Sequence, residues 1–161
     1  MINIRKALEA DFDAIWHIFH HIVQQGNTYT YDPETTREQA RSIWMSDDVA
    51  TYVACLEEQV VGTYILKPNQ PCLGSHVANA GYMVKDGAAG KGIGKAMCEH
   101  SLEEARRAGF LAMQFNMVVS TNESAVVLWQ KMGFSIVGTI PKAFRHREFG
   151  LVDAFIMHRF L

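Results

Sequence analysis

The chain reads as a single α/β (α+β) domain, a mixed central sheet flanked by helices on both faces. Three observations predict it. Strand-like and helix-like segments follow one another as β-α-α-β-β-β-α-β-α-β-β, seven strands in all, across 161 residues. In the second half of the chain helices interleave with strands, so crossovers must lay helices on the sheet. The length suits one core, since single cores typically run to roughly 100–150 residues.

Residues 2–7 alternate weakly and form the first strand. Ile15, Ile18, Phe19, Ile22 and Val23 then fall at helical spacing, with Asp11 or Asp13 as the N-cap and Gly26 as the stop. The segment NTYTYDPETT at 27–36 mixes turn residues with Pro33 and is a loop. Thr35 or Thr36 caps a second helix, TREQARSIWM, with Glu38 or Gln39 completing a capping box. VATYVACL (49–56) and VVGTYIL (60–66) are β-rich and joined by EEQ as a hairpin. A loop with Pro68, Pro71 and Gly74 leads to a strand at 75–84, SHVANAGYMV. The Gly-rich DGAAGKGIG feeds a helix over about 92–107, stopped by Gly109. LAMQFNMVV (111–119) is the next strand, Asn122 caps the helix ESAVVLWQKM, and Gly133 closes it. Residues 134–140 and 151–160 are the last two strands, with PKAFRHREFG a polar insert between them.

Composition narrows the function. Hydrophobic residues make up 48% and charged residues 20%, a globular rather than a disordered balance. The 15 Lys+Arg against 17 Asp+Glu leave a net charge of -2, so no domain-wide positive field holds a nucleic acid. No run approaches the ~18 apolar residues of a membrane span. The amino terminus is charged where a signal peptide would be apolar. Cys55, Cys72 and Cys98 form no Cys-x-x-Cys spacing and fit a reducing compartment. A cytoplasmic protein with no nucleic-acid, membrane or metal partner is the expectation.

Gly87, Gly90, Gly92 and Gly94 are the most informative residues. Between a strand and a helix, glycines let backbone approach a ligand, and the helix start offers unpaired N–H groups and partial positive charge. That is an anion site suited to a phosphate or pyrophosphate. No Ser or Thr follows Lys95, which excludes a phosphate-loop NTPase. GxG without its final Gly, preceded by four other elements, argues against a dinucleotide fold.

These glycines resemble the coenzyme-A loop of the GCN5-related N-acetyltransferase (GNAT) family, Gln/Arg-x-x-Gly-x-Gly/Ala. Here it reads Ala89, Gly90, Lys91, Gly92, Ile93, Gly94, with Ala89 in place of the leading Gln/Arg. The run from Asn122 through Ala125, Leu128, Trp129 and Lys131 to Gly133 and Phe134 resembles the family's Asn-x-x-Ala-x-x-Leu-Tyr-x-Lys-x-Gly-Phe helix. HVANAGYMV, FNMVVSTNESAVVLW and LVDAFIM are similar to a subgroup that acetylates proline analogues such as azetidine-2-carboxylate, and more distantly to phosphinothricin and amino-acid N-acyltransferases. The resemblance spans nearly the whole chain and implies a mostly antiparallel sheet and acetyl-coenzyme A as co-substrate. It implies cofactor contacts at Met83, Val84, Ala89, Gly90, Lys91, Gly92, Ile93, Gly94, Lys95, Asn122, Ala125, Trp129 and Lys131. It also implies that Asn79 and Asn116 bind and activate the acceptor, and that a backbone N–H near Met83 meets the thioester carbonyl. A homodimer is common among such proteins, although no apolar stripe in this sequence marks an interface.

Residue chemistry leaves alternatives open. Two Asn in apolar strands either satisfy each other and the sheet or face a ligand, since an unpaired buried amide costs roughly 1–3 kcal/mol. Trp129 stands where many relatives carry a Tyr acid; an indole N–H cannot serve so, and the thiolate then leaves unaided, or Trp129 is core packing. His76 is the candidate base, and His17 and His21 share a helix face at i,i+4, a metal spacing or surface histidines. Tyr29, Thr30 and Tyr31, beside Asp32 and Glu34, are pocket-wall candidates or an ordinary surface loop. Lys142, Phe144, Arg145, His146 and Arg147 read as a lid or a solvated turn, and Asp153 has no assigned task. The expected function is transfer of acetyl to a small amine, an amino acid or analogue, directly in a ternary complex. A peptide acetyltransferase and a non-catalytic acetyl-coenzyme-A-binding domain are the alternatives.

Overall fold

A computed structural model describes residues 1–161. Its elements are β1 (Asn3–Lys6), α1 (Phe12–Gln25), α2 (Arg37–Trp44), β2 (Ala50–Leu56), β3 (Gln59–Pro68), β4 (Val77–Val84), α3 (Ile93–Arg107), β5 (Ala112–Val119), α4 (Glu123–Lys131), β6 (Ser135–His146) and β7 (Gly150–Phe160). The strands form one seven-stranded sheet in the order β1-β2-β3-β4-β5-β7-β6. Every neighbouring pair is antiparallel except β4 and β5, which are parallel. The β-α-β connection through α3 accounts for that exception. No helix is long and apolar enough to cross a membrane. All three cysteines are free, Cys55 and Cys98 buried and Cys72 exposed.

Period-two alternation sends the strands' side chains to two separate cores. Val53, Ile65 and Met83 meet Phe12, Ile15 and Phe19 of α1 and Trp44 of α2. Ala54, Tyr64, Ala78, Ala80, Met113 and Phe115 meet Ile93, Met97 and Leu102 of α3 and Trp129 of α4 on the other face. α1 ends on Gly26 in the left-handed conformation, and α2 begins with a capping box between Thr36 and Gln39. Trp44 is fully buried, yet its indole N–H is satisfied by Thr63 Oγ1 at 2.9 Å. Such pairing removes the cost of a buried donor.

Four expectations are corrected. Asp11 precedes α1 but does not cap it; its carboxylate accepts two bonds from Arg5, at 2.7 and 2.8 Å, and the Leu8 N–H. Those donors hold the Asp11 carboxyl below the usual carboxylate range. Asn122 sits at the start of α4, but its side chain accepts from Ser124 Oγ at 3.3 Å rather than from the helix backbone. The strand expected from residue 75 begins at Val77, because Cys72–Gly74 forms a 3-10 turn running into Ser75.

The largest correction concerns residues 141–150. They are not a polar insert: β6 runs through them to His146, with buried Phe144 and His146 alternating against exposed Arg145. Pro141 disguised the strand because it lies in a bulge, where the register shifts between Ile140 and Phe144. The Asp153 carboxylate accepts the Lys142 N–H at 2.9 Å across that bulge. Arg147, at the turn, donates its backbone N–H to Gly26 O and its guanidinium to Gln24 O. The hairpin tip is thereby tied to the carbonyl end of α1, where a cation is favoured.

Candidate active site

The parallel pairing of β4 with β5 lasts for two residue pairs, Val77 with Ala112 and Ala78 with Met113. Beyond them β4 continues along β3 as far as Val84. β5 follows β7 instead and bulges: Phe115 faces Met157 and Val118 faces Phe155, so Asn116 and Met117 share one position opposite β7. An extra residue bends its strand. The two strands therefore part as a fork.

The fork leaves one row of backbone polar groups without a partner strand. The bonds Asn69 N–H to Val77 O and Lys85 N–H to Val61 O turn the odd-numbered residues of β4 toward β3. Ala80, Tyr82 and Val84 consequently direct their N–H and C=O into the gap. This parity sharpens the expectation of an N–H near Met83: the N–H of Met83 itself belongs to the β3 ladder, and the N–H groups of Tyr82 and Val84 beside it lie on the open side. Two side chains meet the exposed backbone. Asn79 Nδ2 donates to Gln114 O at 2.9 Å, the carbonyl that Ala80 N–H would reach if the ladder continued. The Tyr29 hydroxyl donates to Tyr82 O at 2.7 Å.

A cleft of about 300 Å³ occupies the fork. Its lining comes from both cores, so it passes through the sheet. On the α3/α4 side it is aromatic: Trp129 is 9% exposed and packs on Tyr82 and Phe115, each with ring centroids 5.0 Å away. Ala125 and Asn122 continue this wall along α4. On the α1/α2 side it is polar. Asn116 Oδ1 accepts from Gln114 Nε2 at 2.9 Å, and Asn116 Nδ2 donates to Asn69 Oδ1 at 2.7 Å. Tyr29 and Tyr31, stacked at 5.7 Å, close that side with Thr30. Burial pushes the phenols of Tyr29 and Tyr82 up, so both stay protonated and neither is a base. No histidine and no carboxylate lines the cleft.

The Gly-rich loop lies at the start of α3. Gly90 and Gly92 have φ of 79° and 77°, and a Cβ added at either meets nothing within 4 Å. These open left-handed positions, with no acidic residue in the first turn of α3, fit a phosphate-bearing group. Ala89, Lys91 and Lys95 are exposed around the same turn. Gly94 brings α3 against α4, since its Cβ would touch Leu128 Cδ2 at 3.4 Å. Ile93 is 1% exposed, so its side chain belongs to the core and only its backbone is available.

Several expected positions fall elsewhere. Lys131 is exposed and lies about 200° round α4 from Trp129, away from the cleft. His76 is exposed before β4 and does not line the cleft. His21 approaches Asp86 at 3.6 Å, and no group of three metal-ligating side chains surrounds it. Asp32 and Glu34 line a neighbouring groove with Arg145 and His146, behind the Tyr29–Tyr31 stack. There His146 Nδ1 accepts the N–H groups of Glu148 and Phe149, which puts its proton on Nε2.

Residue-by-residue reading missed Lys67, Asn69 and Gln114. The one available signal was register: Lys67 is the first charge after the apolar run of β3, directly opposite Asn79.

The sequence pattern of the Acetyltransferase (GNAT) family matches residues 14–134, about three quarters of the chain. A GCN5-related N-acetyltransferase from Kribbella flavida is 46% identical, with a TM-score of 0.96 over 99% of this chain and 98% of that one. N-acetyltransferase aca1 of Schizosaccharomyces pombe is 29% identical over 94% of this chain and 80% of its own length. L-amino acid N-acetyltransferase AaaT of Escherichia coli is 28% identical over 98% of this chain and 97% of its own.

Proposed function

Because the chain belongs to the acetyltransferase (GNAT) family and is an N-acetyltransferase dependent on acetyl-coenzyme A, we propose that its acceptor is a small amine, an amino acid or amino-acid analogue. The observation that carries this reading is the size of the cleft, about 300 Å³, on the scale of a small molecule. Tyr29, pinned to Tyr82 O and stacked on Tyr31, walls it on the acceptor side. The likeness to an L-amino acid N-acetyltransferase supports it. So does the narrower resemblance to enzymes of proline analogues and phosphinothricin.

Acetyl-coenzyme A supplies an acetyl thioester, whose carbonyl carbon the acceptor's amine attacks. The backbone of Gly90, Gly92 and Gly94 and the start of α3 are suited to its pyrophosphate. Tyr82 and Val84 N–H groups face the gap and can donate to a carbonyl oxygen as negative charge develops on it. Asn79 Oδ1, with its Nδ2 anchored to Gln114 O, is oriented to accept from an amine. With no histidine or carboxylate in the cleft to take it, the amine's proton passes to water, and sharing one gap suits direct transfer in a ternary complex. Trp129 supplies packing rather than a proton, and a leaving thiol of pKa about 8.5 makes that tolerable. Holding amine and thioester together supplies much of the rate, since oriented pairs reach effective molarities of about 10⁵ M or more.

A thiol-release assay across amino acids, proline analogues, phosphinothricin, polyamines and short peptides tests the reading. Release with a small amino acid or analogue is expected. Release with peptides alone would replace it by the peptide reading.

A further inference from the structure

Within the proposed reaction on a small amine, and resting on that reading, we propose that Lys67 selects acceptors bearing an anionic group beside the amine. Lys67 is the only charged residue lining the cleft. It forms no ion pair, whereas Lys95 is paired with Glu99, and its ammonium donates no hydrogen bond within the chain. It stands opposite Asn79 in the β3–β4 register, so the two side chains project from the same face of the sheet. That face is the acceptor side, shared with Gln114 and Asn116 of β5.

The neutral amides offer an anion hydrogen bonds but no charge, and part of their capacity is already used. Asn116 has its Nδ2 on Asn69 and its Oδ1 on Gln114, and Asn79 has its Nδ2 on a main-chain carbonyl. Asn116 is tied to Asn69 and Asn79 to the sheet, and they shape the pocket. The Lys67 ammonium, with three donors and no partner, is the group that recognises a carboxylate or phosphinate. The same cation disfavours diamines and polyamines, whose second ammonium would stand against it. Lys67 is thus a positioning residue: it holds the anionic end so that the amine points into the fork, without touching the atoms that react.

The experiment compares kcat/KM for an amino acid and for its own carboxamide, in wild type, Lys67→Met, Lys67→Arg and Lys67→Glu. Wild type should prefer the acid by about 10- to 100-fold, the span of one charge-assisted hydrogen bond. Lys67→Met should bring the ratio near one by raising KM for the acid, and Lys67→Arg should restore part of it. Lys67→Glu should invert the preference in favour of the carboxamide, a gain that misfolding cannot mimic. Equal use of acid and carboxamide by wild type would overturn the inference and leave the small-amine reading standing. A preference for the acid that survives in Lys67→Met would also overturn it. Turnover of neither compound, nor of any other small amine, would remove the small-amine reading and the inference with it.

Discussion

The two sides of the fork are built by different means. On the donor side the proposed contacts come from consecutive residues: Gly90, Gly92 and Gly94 open one turn, and α3 starts within it. Recognition proposed through backbone N–H groups is compatible with Ala89 where the family pattern has Gln or Arg. On the acceptor side the proposed contacts are side chains from five separate segments: Tyr29 and Tyr31 from a loop, Lys67 from β3, Asn69 beyond it, Asn79 from β4, Asn116 from the bulge in β5. The difference teaches why one half of a site can be common to many enzymes while the other sets what each acts on. A backbone cradle is insensitive to most substitutions, and a side-chain cradle changes with each one.

The largest expected effect breaks the donor side alone. Gly92→Trp places bulk where nothing lies within 4 Å, at a cost of about 1–2 kcal/mol for a side chain at φ 77°, so circular dichroism should show a folded chain with the anion site filled. Calorimetry should show at least about 1,000-fold weaker acetyl-coenzyme A binding, the loss of several charge-assisted bonds. Unchanged affinity would remove the loop from the binding site.

Asn79→Ala breaks the acceptor side alone. It removes the bond that spans the fork, worth about 1–3 kcal/mol where a buried carbonyl is left unpaired. Steady-state kinetics should show kcat/KM for the acceptor lowered by about 10- to 100-fold, with acetyl-coenzyme A affinity retained. A parallel fall in both would mean that the two sides are not separable.

A smaller effect separates the fork from the core beneath it. His100 on α3 binds Tyr64 through Nδ1 at 2.7 Å, with Tyr52, Glu104 and Arg107 around it. Burial lowers its pKa from the ordinary 6.5, against the upward pull of Glu104 and Glu103. The unfolded chain therefore binds the proton more readily. Its contribution to stability is complete above the ordinary pKa and declines as pH falls through it. The melting temperature should drop between about pH 7 and pH 5, and His100→Gln should flatten that drop. An identical slope in the variant would assign it to other groups.

This contrast also explains what the sequence discloses. The element order, the two-sided sheet and the Gly-rich turn are legible because each depends on residues within one turn or one strand. The end of β6 was hidden by Pro141, whose bulge breaks the alternation that Phe144 and His146 resume. Lys67 was hidden for a different reason. A lysine closing an apolar strand looks like solvent-facing punctuation until the β3–β4 register sets it across from Asn79. Met83 and Lys131 carried a family pattern into positions whose direction only strand parity and helical rotation decide.

The fork between β4 and β5 is proposed to join the two sides through the sheet. A crystal structure of the chain with coenzyme A tests it most directly. The pyrophosphate should lie at the Gly90–Gly94 turn and the thiol inside the fork between Tyr82 and Trp129, with Lys67 and Asn79 open on the far side. A thiol lying outside the fork, or reaching the Tyr29–Tyr31 side from above the sheet, would contradict it.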